Sequence, residues 1–425
     1  SSTRTDDPYR KEQNNNIIVK TDYTHPFGQS SKFEAGFKST MKQFKTDQYY
    51  LESVFNSDYN EDVHALYTTL LYNFTDQLGV QLGARAEQAF TKAILNSQKQ
   101  DLDEGFQDTT NIFSYIMEQS LNQSPFKNDY FQIYPSVNML YNLNPTQRVQ
   151  FGFSKRVNRP RRRTLSPFPQ STNNTSFIRR GNPYLKPEYS DVVDLNFSSN
   201  SRKITFNTGV YYSHLTDNIS WWDRDYITFD STTYEIMSAG NADNSVSQNF
   251  SGNIMYRPMP LASIMMWGWG WNSFQEGRSV DGDGKSRGFG FGGRLTLNIP
   301  TIARLELSGN GRAKMKISTG EIPANYRINL GVQKSFLQNK LSATFKVDDI
   351  FNTGKFIIDT ESEVTNSATG ETYRQLMYAE RQRQRRFASI VLNYNFGKQQ
   401  KKKWSKGSFS GRSGGMGGGG MDMDY

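Results

Sequence analysis

The 425-residue chain contains no cysteine, which excludes a disulfide frame, a thiolate zinc site and a thiol nucleophile together. Only three histidines remain, His25, His64 and His214, far apart and without the HExxH spacing of a zinc hydrolase. Long apolar runs are also missing. The best candidate, Leu261 to Trp271, has 11 residues and contains two glycines, whereas a spanning helix needs roughly 18 to 20 apolar positions. A helical membrane protein is therefore excluded. The N-terminus, SSTRTDDPYRKEQNNN, lacks the charged, apolar and small-residue blocks of a secretory signal, so the chain reads as mature or as beginning inside something larger. No nucleophile elbow or other catalytic constellation is recognisable, so neither an enzymatic activity nor a cofactor is expected.

Aromatic residues, by contrast, are abundant. Apolar residues total only 35% and mean hydropathy is −0.72, yet 14% of positions are Phe, Tyr or Trp. Neither a soluble globule nor a disordered chain normally pairs those values. The net charge of +9 is uneven, because residues 398–425 hold six Lys/Arg against two Asp. The small remainder argues against nucleic acid as a partner.

The pattern along the chain has period two. From Ile302 to Ile317, Ala303, Leu305, Leu307, Gly309, Gly311, Ala313 and Met315 alternate with Arg304, Glu306, Ser308, Asn310, Arg312, Lys314 and Lys316. A helix would smear those charges around its circumference. Similar alternation predicts about fifteen strands, near 14–27, 32–50, 61–77, 78–96, 129–146, 147–160, 187–201, 202–222, 232–258, 260–276, 286–299, 302–318, 322–337, 340–356 and 371–397. Short turns alternate with longer loops at 97–128, 160–187, 222–232 and 357–371. A soluble sandwich or propeller fits poorly, because the strands are long and no blade-length repeat occurs. The fold expected is all-β: an antiparallel transmembrane β-barrel over 14–397, short turns in the periplasm and long loops outside. Residues 1–13 read as an extracellular loop remnant, and 398–425 as a Lys-rich, then Gly/Met-rich, flexible periplasmic tail.

From Phe151 to Phe197 the chain reads FGFSKRVNRPRRRTLSPFPQSTNNTSFIRRGNPYLKPEYSDVVDLNF. This stretch, with the element Gly181, Asn182, Pro183, Leu185, Lys186, Pro187 and Glu188, resembles the C-terminal barrel of TonB-dependent receptors, in particular the Bacteroidetes-type outer-membrane β-barrel family. Val347 to Thr353 (VDDIFNT) resembles that family's D-I-F-N element. The resemblance implies a 22-stranded, plugged barrel in a Gram-negative outer membrane, of which this chain supplies about fifteen strands. The plug, the TonB box and about seven strands would lie elsewhere.

Candidate ligand residues are cationic. Arg156, Arg159, Arg161, Arg179 and Arg180, with Lys155, Arg162 and Arg163, cluster at the expected extracellular mouth, where they suit anionic ligands or lipopolysaccharide phosphates. Arg381, Arg383 and Arg385 share parity with Asn393 and Asn395 and should face the lumen. The competing reading is that such arginines pair with wall carboxylates such as Glu87, Glu306 and Asp348, or with a plug. Tyr49, Tyr50, Tyr211, Tyr212, Trp221 and Trp222 suggest an interfacial girdle. Trp267, Trp269 and Trp271 suit girdle or wall packing ahead of a sugar-stacking platform. The segment from Asp281 to Ser286 reads as a Gly-rich hairpin loop, since it lacks the first glycine of a Walker A and the final Glu of an EF-hand.

Two functions are compatible with these residues. One is a receptor that binds a ligand at its outer loops and imports it through a plugged lumen, with TonB as partner and outer-membrane lipid and lipopolysaccharide as surroundings. The alternative is a structural or accessory barrel subunit, partnered by a lipoprotein or other members of a secretion or assembly complex.

Overall fold

The computed structural model describes residues 10–28, 30–50, 53–99, 112–121, 124–171, 177–241, 244–276, 284–318, 320–338, 340–365, 372–382 and 386–396. Fifteen strands form one continuous antiparallel wall: β1 (Arg10–Phe27), β2 (Ser31–Tyr50), β3 (Ser53–Asn73), β4 (Leu78–Lys99), β5 (Tyr130–Asn144), β6 (Gln147–Asn158), β7 (Glu188–Asn200), β8 (Ile204–Thr216), β9 (Asn244–Met259), β10 (Ala262–Gln275), β11 (Lys285–Ile299), β12 (Ala303–Arg312), β13 (Asn325–Phe336), β14 (Leu341–Asp348) and β15 (Phe387–Tyr394). Each pairs with the next in sequence order. Among the described residues no pairing joins β15 back to β1.

The two faces separate as the period-two pattern requires. Register places Phe37 opposite Leu66, Leu66 opposite Ala86, Leu82 opposite Val137 and Met139 opposite Phe151, so these side chains share one face, and Leu66, Leu82 and Met139 are exposed there. The opposite face carries Tyr67, Arg85, Glu87 and Asp194. On β3 the apolar face runs from Tyr72 to Leu66 and then turns polar through Asp62, Asn60 and Asp58. A bilayer crossing needs only about 9–11 strand residues, so β1–β4, with 18, 20, 21 and 22, extend well beyond it. The apolar band therefore lies at the short-turn end.

The buried core sits at the other end. Helix α1 (Ile112–Leu121), the four-residue α2 (Arg162–Leu165) and a separate four-stranded sheet fill the long loops. That sheet contains an antiparallel hairpin, Ile219–Phe229 with Thr232–Asn241, joined in parallel by Phe177–Arg180, which pairs in turn with Gln170–Ser171. One buried cluster combines Phe55, Ala93 and Leu95 of the wall with Met117, Phe126 and Phe168 of the loops. Ala93 and Leu95 share parity with Glu87, so the loops fold over the polar face. That face is consequently the lumen, and the apolar one meets lipid.

Several expectations are corrected. The strands expected at 202–222 and 232–258 each merge a wall strand with an arm of the loop hairpin, whose turn at Asp230 and Ser231 has φ of 47° and 61°, the paired left-handed conformation of a tight hairpin. The loop 97–128 contains α1. The strand expected at 302–318 breaks after Arg312 and resumes at Met315–Ile317. The stretch read as loop 357–371 lies mostly within a hairpin, Lys355–Thr365 with Thr372–Gln382, whose second arm was expected to be continuous with β15. Trp221 is not a girdle residue, because it packs in the loop core beside Leu165, Leu185 and Ala239. Tyr212 faces outward as a girdle residue should, whereas Tyr211, opposite Asn249, faces the lumen. The side chains of Tyr49, Tyr50 and Trp222, positions 281–283 and the tail at 398–425 lie outside the described residues.

Candidate functional site

The loop at 159–187 is held by main-chain contacts that the G-N-P-x-L-K-P-E stretch supplies. The amide of Gly181 donates to the Ser166 carbonyl at 2.8 Å, and that of Asn182 to the Thr164 carbonyl at 2.7 Å. A β-carbon at position 181 would fall 2.4 Å from the Ser166 oxygen, so this approach admits only glycine. Asn182 Oδ1 accepts from the Tyr184 amide at 2.9 Å, closing a turn. Leu185 is buried against Leu165 and Ala239. Lys186 and Asn241 exchange hydrogen bonds, amide to Oδ1 at 2.9 Å and Nδ2 to carbonyl at 3.0 Å. Glu188 is buried, accepting from Asn158 Nδ2 and from the Ile219 amide. The stretch thus joins the loop sheet to the wall.

Beside it lies a buried ion pair. Glu87, on the lumen face of β4, is 3% exposed and accepts from Arg85 Nε at 2.5 Å and from Arg159 Nη2. Arg159 Nε also donates to the Tyr130 hydroxyl at 2.8 Å. Burial alone would lower the Arg159 pKa, but Tyr130 and Glu87 outweigh it and raise the pKa above the ordinary arginine value. Arg159 thus pairs with Glu87, one of the wall carboxylates named in the pairing alternative.

A pocket opens nearby, lined by Phe44, Tyr59, Phe126 and Phe168 with Arg10 and Arg162. Glu12 bridges the two guanidinium groups, bonding Arg10 Nε at 2.6 Å and Arg162 Nη1. Arg10 lies over the Phe168 ring at 5.8 Å and Arg162 over that of Phe44 at 6.0 Å. The sequence reading had Arg162 among the mouth cations and missed Arg10, because the Glu12 that joins them lies 150 positions from Arg162 and gives no local signal.

The remaining predicted arginines divide. Arg156, on the lumen face of β6, is exposed, with Nε donating to Ser154 Oγ at 3.0 Å. Arg161 and Arg163, flanking and opening α2, are exposed. Arg179 has its guanidinium against the Phe177 and Trp221 rings at 5.7 and 5.8 Å, with its Nε buried and making no hydrogen bond. Arg180 Nε donates to Ser238 Oγ at 3.3 Å. Arg381 sits on the hairpin opposite Phe356, but its side chain, like residues Arg383 and Arg385 entirely, lies outside the described residues.

The D-I-F-N element also proves to be a main-chain knot. Just past β14, Asp349 accepts from the amides of Thr353 and Gly354 at 2.9 and 2.8 Å, while its own amide donates to Asn329 Oδ1 at 2.9 Å. Asp349 and Asn352 both adopt positive φ, 53° and 56°. Burial pushes the Asp349 carboxyl up, but the two amides, the Thr353 hydroxyl and Arg327 hold it below the usual range. Among the described residues, no group of three His, Asp or Glu is placed to hold a metal ion.

Solved structures with similar folds include the ferric yersiniabactin uptake receptor FyuA from Yersinia pestis (12% identity, TM-score 0.53, 91% of this chain and 55% of that one) and the copper transporter OprC (10%, 0.54, 91% and 57%). The ferric-catecholate import receptor Fiu from K12 E. coli is comparable (10%, 0.50, 90% and 55%). The chain thus spans little more than half the length of each. No curated protein sequence matches it. The model of the outer membrane protein beta-barrel family matches residues 2–380, which include nearly all of the wall and the loop core described above. With lipid-facing and lumen-facing residues alternating along fifteen strands, the chain belongs to that outer membrane β-barrel family.

Proposed function

We propose that this barrel is the C-terminal part of a TonB-dependent receptor that captures an anionic ligand at its outer mouth and passes it through a plugged lumen. The observation that carries the reading is the loop core itself. The long loops fold inward over the polar face around three buried clusters, leaving Arg156, Arg161 and Arg163 exposed at the rim. Among the described residues, most apolar loop side chains are spent inside that core rather than offered on a flat outer surface, as an accessory subunit of a larger complex would require. Exposed guanidinium groups attract phosphate, carboxylate and catecholate oxygens by charge-assisted, bidentate hydrogen bonds.

The test uses the full-length protein. A soluble TonB C-terminal domain is expected to capture it from solubilised outer membranes, and cells lacking TonB are expected to lose uptake of a ligand that the full-length protein retains. Failure of TonB to bind, in a protein still folded in the outer membrane, refutes the transport reading. Lipopolysaccharide and a free anion are distinguished by titrating each separately against the Arg161→Glu/Arg163→Glu variant.

A further inference from the structure

Strands β10 and β11 carry mirror-image runs, Trp267-Gly-Trp-Gly-Trp271 and Gly288-Phe-Gly-Phe-Gly292. The register sets every aromatic opposite a glycine: Trp267 with Gly292, Gly268 with Phe291, Trp269 with Gly290, Gly270 with Phe289, and Trp271 with Gly288. Side chains alternate across a strand, so the two aromatic sets occupy opposite faces. Phe289 and Phe291 join Phe250, Ile254 and Met266 on the exposed apolar face toward lipid. Trp267, Trp269 and Trp271 face the lumen. Of the girdle or wall-packing roles expected for these tryptophans, the girdle is corrected, since their face is the lumen, and packing on the wall is observed.

The glycines decide how the indoles lie. A β-carbon at Gly290 would fall 2.5 Å from a ring carbon of Trp269, one at Gly288 2.0 Å from Trp271, and one at Gly292 2.3 Å from Trp267. Each indole consequently rests against bare backbone on the lumen face, Trp267 and Trp271 partly buried and Trp269 exposed. Trp269 is 42% exposed, and its ring stacks along that of Trp271, centroids 5.6 Å apart and planes 24° off parallel. The three indoles span about 14 Å of strand. Polar groups border them: Asn249, Ser251 and Asn253 on β9, Arg294 on β11 and Asn310 on β12.

We infer that Trp267, Trp269 and Trp271 form a stacking track for an oligosaccharide on the lumen wall. Pyranose rings present a flat C–H face to an aromatic plane and hydroxyls around the edge, which matches indole faces bordered by Asn, Ser and Arg. A cationic ligand is disfavoured, because Arg312 lines the same face and Glu306 there is paired with Arg294 at 3.3 Å. A purely apolar ligand would leave the bordering amides unpaired. The inference rests on the lumen being the ligand's route and makes the anion captured at the mouth an acidic oligosaccharide, whose stacking step the neutral hexasaccharides probe without requiring uptake.

Full-length protein in detergent micelles is titrated with maltohexaose, cellohexaose and glucose, following tryptophan fluorescence. Saturable quenching by at least one hexasaccharide, weaker with glucose, is expected. Trp269→Ala should weaken it about ten-fold, and Trp269→Phe, which keeps a flat ring, should retain most of it. Gly290→Ala, whose β-carbon displaces the Trp269 ring from the wall, should also weaken it although residue 269 is still tryptophan. The heat-dependent gel mobility of folded barrels confirms that each variant is folded. Absence of quenching by both hexasaccharides, or quenching unchanged in Trp269→Ala, overturns the track. Intact binding without uptake counts instead against the transport reading.

Discussion

The ion pair beneath the mouth gives the sharpest quantitative test of how the loops are fixed to the wall. Arg159→Leu leaves Glu87, whose side chain is 4% exposed, with Arg85 as its remaining cation among the described residues. Stripping one partner from a buried charge costs about 3–5 kcal/mol, and because Arg85 stays at 2.5 Å the lower end, about 3 kcal/mol, is expected. Glu87→Leu should cost less, about 1–2 kcal/mol, because the 23%-exposed Arg159 side chain can turn to water and keeps the Tyr130 hydroxyl. The double variant leaves no deeply buried charge, since Arg85 is 33% exposed, and should cost no more than Glu87→Leu alone. The coupling energy is then about 3 kcal/mol, far above the about 0.5 kcal/mol scatter of independent sites. Urea unfolding of the micelle-bound protein, followed by tryptophan fluorescence, measures all three variants under one slope. Additive single and double effects would refute the claim that the pair acts as a unit.

Gly181→Ala places a β-carbon 2.4 Å from the Ser166 oxygen; overpacking of about 1–3 kcal/mol should open the 159–187 loop to protease while the wall stays folded. Phe168→Ala removes a 2%-exposed ring from the loop core and should destabilise the cap by about 3–5 kcal/mol, read by the same proteolysis. Asp349 is held below its ordinary pKa, so its stabilisation is complete at neutral pH and fades as pH falls through the depressed value; hydrogen exchange at Thr353 and Gly354 should rise in acid, and Asp349→Asn should abolish that dependence. Arg161→Glu with Arg163→Glu, both exposed, should change stability by less than about 0.5 kcal/mol yet weaken anion binding at low salt.

The wall was legible because lipid on one side and an aqueous lumen on the other impose period two on every strand, and all fifteen wall strands overlap expected segments. The loop core was not. Helix α1 has 10 residues, too few to be stable alone; it is fixed by Ile112 and Ile116 packing on Ile178 and Ile236, contacts between segments more than fifty positions apart. The run Asn158-Arg-Pro-Arg-Arg-Arg163 offers four similar cations, and only the fold reveals that Arg159 finds Glu87, 72 residues away, while Arg162 finds Glu12. Parity grouped the three tryptophans correctly, but their face became known only from the register with Gly290 and Phe250.

These placements separate two kinds of residue that look alike in sequence. Gly181, Asn182, Leu185 and Glu188, like Asp349 and Thr353, are occupied by main-chain hydrogen bonds and packing, so substituting them alters how much folded barrel exists before it alters what the barrel binds. Arg161, Arg163 and Trp269 stand in solvent-accessible positions. A ligand must be recognised by groups that remain free to change partners, since a side chain already satisfied in the fold gives up those bonds before it makes new ones. In the proposed receptor, ligand choice resides in the rim arginines and the lumen indoles, and a substitution set drawn from the recognisable stretches alone would report on assembly while missing it.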